Sequence, residues 1–230
     1  MERTFMRWPN FIRKAVTLSY DDGMVFDKRL MQIMDKNGLK GTFNINSGLF
    51  AQQEGGRRLT KQAAYELYAN SGHEVAVHGV QHLSLSAVPE SMALKDVIDD
   101  RIALEDMFGG LIQGMAYANG FYNDKVVEYL KSAGIVYART VLSTEKFDVP
   151  TDWLRLAATC HHGNPRLMEL AKQFIDDVGK YNFWWEPPML FYLWGHSFEF
   201  NNSNNWETIE EFAEYIGNRD DVWYATNGEI

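Results

Sequence analysis

The chain alternates between two hydrophobic patterns. Phe26, Leu30, Ile33 and Met34 fall at i, i+4, i+7 and i+8, which puts four apolar side chains on one face of a helix. Val126, Val127 and Leu130 repeat that spacing, and so do Trp206, Ile209, Phe212, Ala213 and Ile216. Between these stretches lie short apolar runs of strand length, rich in β-branched and aromatic residues: 15–20, 41–46, 73–78, 114–117, 135–140, 190–194 and 222–225. Gly38, Gly72 and Gly134 each stand between a helical stretch and the run that follows, where the left-handed conformation open to glycine ends a helix. Seven strand candidates alternating with six or seven helices predict parallel strands with helical crossovers. The expected fold is α/β, a deformed (β/α) barrel of about seven parallel strands, with an open doubly wound sheet as the competing topology. No Gly/Ser/Pro-rich linker interrupts the pattern, so residues 1–230 are expected to form one domain. Residues 146–185 carry no regular period.

Composition narrows the function. With 46% hydrophobic and 23% charged residues the chain is an ordinary globular one, neither disordered nor fibrous. Thirty-one acidic against 22 basic side chains give a net charge of −9, which repels phosphate backbones. No nucleic-acid partner is expected. No apolar run approaches the ~20 residues of a membrane helix, so no membrane partner is expected either. The first residues lack the apolar stretch of a secretory signal, and Cys160 is the single cysteine, so a cytoplasmic location is the expectation. The last residues follow an apolar run without a closing element, and the natural chain is expected to continue.

Polar clusters follow the strand candidates, and in β/α barrels the C-terminal strand ends form the active site. Asp21 and Asp22 follow the first run. Extended backbone sends neighbouring side chains to opposite sides, so the two carboxylates are expected to do different work, or to form a turn and a helix cap. His78 and His82 are four apart, a spacing that brings two imidazoles to one side of a helical turn. Two histidines and a carboxylate make a three-ligand cation site with a position left open. His196 closes an apolar run, either as a core histidine or as a proton donor suited to neutral pH. His161 and His162, after Thr159 and Cys160, are ambiguous and read as a polar loop. Trp184, Trp185 and Trp194 could stack on sugar faces, although core packing is the commoner job of a tryptophan. Cys160 reads as a small buried hydrophobe.

In this order the clusters resemble the polysaccharide deacetylase family, the NodB homology domain. Its T-F-D-D-G motif is similar to Ser19-Tyr20-Asp21-Asp22-Gly23, and its H-[ST]-x-x-H motif to His78-Gly79-Val80-Gln81-His82. Its Leu-x-Leu-x-His strand resembles the stretch from Leu190 through Leu193 to His196, stretched by one residue. The resemblance implies a deformed barrel that hydrolyses N-acetyl groups on a carbohydrate. It implies one divalent ion, usually zinc in the family, held by Asp22, His78 and His82. Asp21 matches the base and His196 the acid, and the backbone N–H of Asn119 is placed to meet an oxyanion. The sequence departs from the family at three points. The R-x-P-Y motif falls on Ala116-Tyr117-Ala118-Asn119, without its Arg or Pro; Gly79 replaces a hydroxyl residue; and an Asp near a Trp corresponds to Asp148 or Asp152, before Trp153. Arg139, at the next strand end, is expected to stand in for the missing Arg. Two alternatives stay open: an impaired carbohydrate-binding homologue, or a hydrolase of O-acetyl esters or small non-sugar amides.

Overall fold

The computed structural model describes residues 7–179 and 186–230. Nine strands lie in one all-parallel sheet: β1 (Lys14–Asp21), β2 (Gly41–Ile45), β3 (Glu74–Val77), β4 (Gly114–Ala116), β5 (Tyr137–Ser143), β6 (Leu156–Ala158), β7 (Cys160–His161), β8 (Met189–Gly195) and β9 (Val222–Tyr224). The helices are α1 (Asp27–Lys36), α2 (Lys61–Tyr68), α3 (Glu90–Phe108), α4 (Asp124–Ser132), α5 (Leu167–Asp176), α6 (Ser197–Ser203) and α7 (Trp206–Ile216). None of the described helices is long and apolar enough to cross a membrane.

Strand order is β6-β5-β4-β3-β2-β1-β8-β7, with β9 paired to β1 below the point where β2 begins. The sheet curls without closing. Its two ends meet in one piece of chain, because only Thr159 separates β6 from β7. Thr159 donates its N–H to Tyr192 of β8 at 2.8 Å and accepts from Glu145, just past β5, at 2.8 Å. A single short segment therefore passes from one edge of the sheet to the other, which is how the barrel is deformed. All seven expected strands are present. The two extra ones, β6 and β7, fall in the region without a period, at three and two residues too short to show one.

Strand parity builds the two sides of the wall. In β1, Val16, Leu18 and Tyr20 pack outward with helix residues such as Leu30, Met34, Ile209 and Phe212. Ala15 faces the other way, into an inner cluster with Tyr137, Leu156, Leu190, Tyr192 and Trp194. Continuing that parity, Thr17 bonds inside to Asn227 at 2.9 Å, and Ser19 and Asp21 bond to Asn44. On β5 the same alternation sends Tyr137 and Arg139 inward. The fold thus delivers a carboxylate and a guanidinium to the same interior, near the C-terminal strand ends.

Candidate active site

Asp21 is the last residue of β1 and is 3% exposed. Its Oδ1 accepts from Asn44 Nδ2 at 2.9 Å, across the β1–β2 ladder where the two residues are register partners. Its Oδ2 is ion-paired to Arg139 Nη2. Arg139 is fully buried, with its guanidinium 4.5 Å from the Trp194 ring centroid. Register explains why it reaches: Arg139 pairs directly with Ala116, the last residue of β4. Arg139 thus emerges one strand over from Ala116, at the same height. It is not at a strand end as expected, since β5 runs on to Ser143. Burial alone would raise the Asp21 carboxyl; the Arg139 guanidinium, with His78 and His196, outweighs it and lowers the pKa to about 2. Asp21 is ionised at any working pH.

Asp22 does not turn away from Asp21 as extended backbone would have it. Its φ of 85° breaks the strand, and both carboxylates approach His78 Nε2, Asp21 at 3.8 Å and Asp22 at 4.0 Å. Positive φ is uncommon outside glycine, but Asp is among the residues that tolerate it. His82 Nε2 lies 3.7 Å from the same Asp22 oxygen. The two imidazoles meet through a loop, not the helical turn expected: residues 78–84 are irregular, with φ of 81° at Gly79 and 55° at His82. Arg58 adds a donor to the Asp22 carbonyl at 2.6 Å and sits 3.3 Å from its carboxylate.

The donor set fits a divalent cation. His78 Nδ1 lies 2.9 Å from the Ala116 carbonyl, which can only accept, so Nδ1 carries the proton and Nε2 presents its lone pair. That Nε2 is buried with no hydrogen-bond partner among the described residues. Asp22, His78 and His82 bring one ligand atom each within 4.8 Å of one another. Metal bonds of about 2.0–2.2 Å place such donors roughly 3–4 Å apart, so a small contraction closes the site. Burial lowers the pKa of His78, keeping it in the neutral form that binds metal.

The loop that carries these histidines is held from beneath. Asp100 of α3 accepts the His78 N–H at 2.9 Å and the Ser47 N–H at 2.7 Å. Asp96, one turn earlier, accepts the Gln81 N–H at 2.9 Å. Asn46 donates to the His78 and Gly79 carbonyls at 2.8 Å each. Burial pushes the Asp100 carboxyl up to about 6 despite those donors.

His196 follows β8 with Nε2 3.8 Å from Asp21 Oδ2 and Nδ1 3.3 Å from Glu199. Asn119 stands exposed past β4 with φ 56°, its side-chain amide donating to Ser84 Oγ at 3.1 Å, which sets it against the histidine loop. Of the expected polar loop only part is present: His161 ends β7, while His162 lies in the turn that follows and is buried at 4% exposure. Cys160 is fully buried, and that burial pushes its thiol up to about 12. Trp194 forms wall beside Arg139 and His161; Trp184 and Trp185 lie outside the described residues.

A profile of the family described as Polysaccharide deacetylase matches residues 9–138, more than half of the chain. The chain belongs to the polysaccharide deacetylase family. No curated protein matches it. Among solved structures, a Mycobacterium smegmatis protein assigned as a polysaccharide deacetylase is similar with a TM-score of 0.68 and 19% identity, covering 98% of this chain and 92% of that one. A family 4 acetyl xylan esterase from Clostridium thermocellum, solved with a cobalt ion, gives 0.58 and 16% over 94% and 89%. A Streptococcus pyogenes deacetylase solved with acetate gives 0.50 and 21%, but the match spans only 54% of this chain and 55% of that one. At such identities these likenesses show the deacetylase fold alone.

Two departures from the deacetylase motifs have a structural account. A Cβ on Gly79 would lie 2.3 Å from Asp96 Oδ2, so the space of the missing hydroxyl residue is filled by a carboxylate that ties the loop. Asp152 is engaged by Arg155 at 2.6 Å and by the Leu154 N–H at 3.1 Å, and the backbone of Asp148 pairs with Met189 at the start of β8, the end away from His196, so neither candidate for the fourth motif is the carboxylate beside His196. That carboxylate is Glu199, which sequence reasoning missed along with Asn44, Arg58, Asp96 and Asp100. The available signal was positional: Glu199 lies three residues after His196, the spacing of a helix capping box, and so reads as a cap.

Proposed function

We propose that the chain is a metal-dependent deacetylase that hydrolyses N-acetyl groups of a carbohydrate to acetate and a free amine. The observation that carries this reading is the convergence at Asp21 Oδ2: the Arg139 guanidinium on it, His78 of the cation group 3.8 Å away, and His196 Nε2 also 3.8 Å away. A divalent ion, zinc by the family's habit, held by Asp22, His78 and His82 would polarise the amide carbonyl and acidify a water beside it.

The chain's own groups do the rest. Arg139 and Asn44 hold the two oxygens of Asp21, so its carboxylate is fixed and charged before substrate arrives. Asp21 takes the proton of the attacking water. The Asn119 N–H faces the charge that develops on the carbonyl oxygen. His196 delivers a proton from Nε2 to the sugar nitrogen, without which an amine is a poor leaving group. The loss of the motif-three Arg favours a non-catalytic homologue only if nothing replaces it; Arg139 on Asp21 argues for turnover.

The test is acetate release, with zinc supplied, from N-acetylglucosamine oligomers, O-acetylated xylo-oligosaccharides and small N-acetylated amines. Release from the oligomers is expected. Release from esters alone would move the activity to O-acetyl groups, and binding without release would support the non-catalytic reading.

A further inference from the structure

His161, His162 and Glu199 take no part in the steps above, yet with His196 they form a dense polar cluster outside the Asp22 group. Glu199 is the third residue of α6, and its Oε2 gathers four nitrogens: His161 Nε2 at 3.1 Å, His162 Nε2 at 3.1 Å, His196 Nδ1 at 3.3 Å and the His196 main-chain N–H at 3.1 Å. The β7–β8 ladder makes this possible by pairing His161 with Trp194, two residues before His196.

The hydrogen bonds decide where the protons are. The Gly163 N–H donates to His161 Nδ1 at 3.0 Å, so Nδ1 accepts and the proton sits on Nε2, facing Glu199. His162 Nδ1 is buried with no partner among the described residues, and its ring packs against Phe200 at 4.1 Å and Tyr20 at 5.7 Å. Burial keeps His162 from charging, so its one proton also belongs on the Nε2 that meets the carboxylate. By composition, His161, His196 and Glu199 also satisfy what a cation asks, with ligand atoms within 4.8 Å. Ligation needs a lone pair on His161 Nε2, and the Gly163 bond has put a proton there.

We propose that Glu199 is the positioning residue of His196, that His161 and His162 are neutral donors which hold Glu199 in place, and that the cluster is filled by protons and is not a second cation site. The part concerning proton delivery rests on the function proposed above. Glu199 keeps a proton on His196 Nδ1 and turns Nε2 toward Asp21. The titratable groups facing His196 are Glu199, Asp21, Asp22, His161 and His162. Burial pulls His196 down, but Glu199 and Asp21 beside its two ring nitrogens outweigh it and its pKa is raised. Despite its own burial, the three histidine donors hold Glu199 well below the usual carboxylate range.

The test needs no substrate at first. In protein labelled with 15N-histidine, long-range 1H–15N correlation reads the tautomer and titration of each ring. In the wild type, His161 and His162 should be Nε2–H tautomers near neutral pH, and His196 should titrate above the ordinary ~6.5. Zinc beyond one equivalent should leave the His161 and His196 signals in place. Glu199→Gln should lower the His196 midpoint by about one unit, a tenfold loss of proton affinity. An Nδ1–H tautomer at His161 or His162, a zinc-dependent shift of His161 at a second equivalent, or an unmoved His196 midpoint in Glu199→Gln would each overturn the proposal. In the kinetic arm, Glu199→Gln should lose about 10²-fold in kcat on an amide with KM little changed, and the alkaline limb should move to lower pH. Glu199→Asp should restore part of that rate. A wild type that turns over no acetylated substrate breaks the proposed function, while the spectra still decide the network.

Discussion

Replacing Arg139 by methionine removes the guanidinium from a carboxylate that has no water to turn to. Both side chains are buried, Arg139 at 0% and Asp21 at 4% exposure. Breaking a buried pair from one side typically costs about 3–5 kcal/mol, because the remaining charge is left uncompensated. For a domain of this size that is a fall of roughly 10 °C in Tm. The carboxyl should climb from about 2 past its ordinary value of 3.8. The sign follows from that shift. A depressed folded-state pKa adds stability above the unfolded value, and that stability is lost as pH falls through the folded one. The gap between wild type and Arg139→Met should therefore be full at neutral pH and close below about pH 4. With the proposed base, Asp21, unoriented the variant should lose at least about 10²-fold in kcat/KM. Thermal melts between pH 2 and 7 and acetate release at pH 7 read the two effects. A double variant, Asp21→Asn with Arg139→Met, should recover stability over Arg139→Met alone but no activity. Wild-type turnover by folded Arg139→Met would refute the claim that Arg139 does the work of the absent motif-three arginine.

Asp22→Ala and His78→Ala should each lose bound metal and acetate release together, read by elemental analysis and turnover of the same sample. Asp21→Asn should keep one equivalent of metal and lose about 10²–10⁴-fold in rate. Gly79→Ser, which restores the family's hydroxyl residue, should weaken metal binding and lower the Tm. The position has φ 81° and Asp96 where the side chain would go, and strained backbone of that kind costs about 1–3 kcal/mol. Asp27 is fully buried among the Tyr68 hydroxyl, Ser197 and the Met24 N–H, and burial raises its pKa to about 7. A raised folded-state pKa stabilises fully below the unfolded value and is lost as pH rises through the folded one. Stability from this group should therefore decline between about pH 4 and 7, and Asp27→Asn should flatten that slope in denaturant titrations.

Much of the site was legible because parallel β/α folds put chemistry at strand ends. Asp21, Asp22, His78, His82 and His196 each follow an apolar run, and the structure brings all five to one rim. Arg139 was legible as a candidate partner for Asp21, and the structure pairs the two; its register with Ala116 is what lets it reach. Backbone detail was not legible. Nothing in an Asp-Asp-Gly string shows that φ at Asp22 is 85°, which is why the two carboxylates approach each other's partners instead of parting. Nor does an i, i+4 pair of aspartates on a long helix announce itself as a clamp: Asp96 and Asp100 look like a solvated face, yet both are buried under the histidine loop. Glu199 was hidden by an innocent local role, because a glutamate three residues into a helix is an ordinary cap. Its reach to His161 and His162 depends on the β7–β8 pairing, and a two-residue strand leaves no pattern to read.

Zinc-edge anomalous diffraction from a crystal soaked in the metal tests the central claim most directly, because the described residues offer two histidine–carboxylate clusters and the account assigns the ion to one. It predicts a single strong peak bonded at about 2.0–2.2 Å to Asp22, His78 and His82. A peak among His161, His196 and Glu199 with the Asp22 group empty would contradict it.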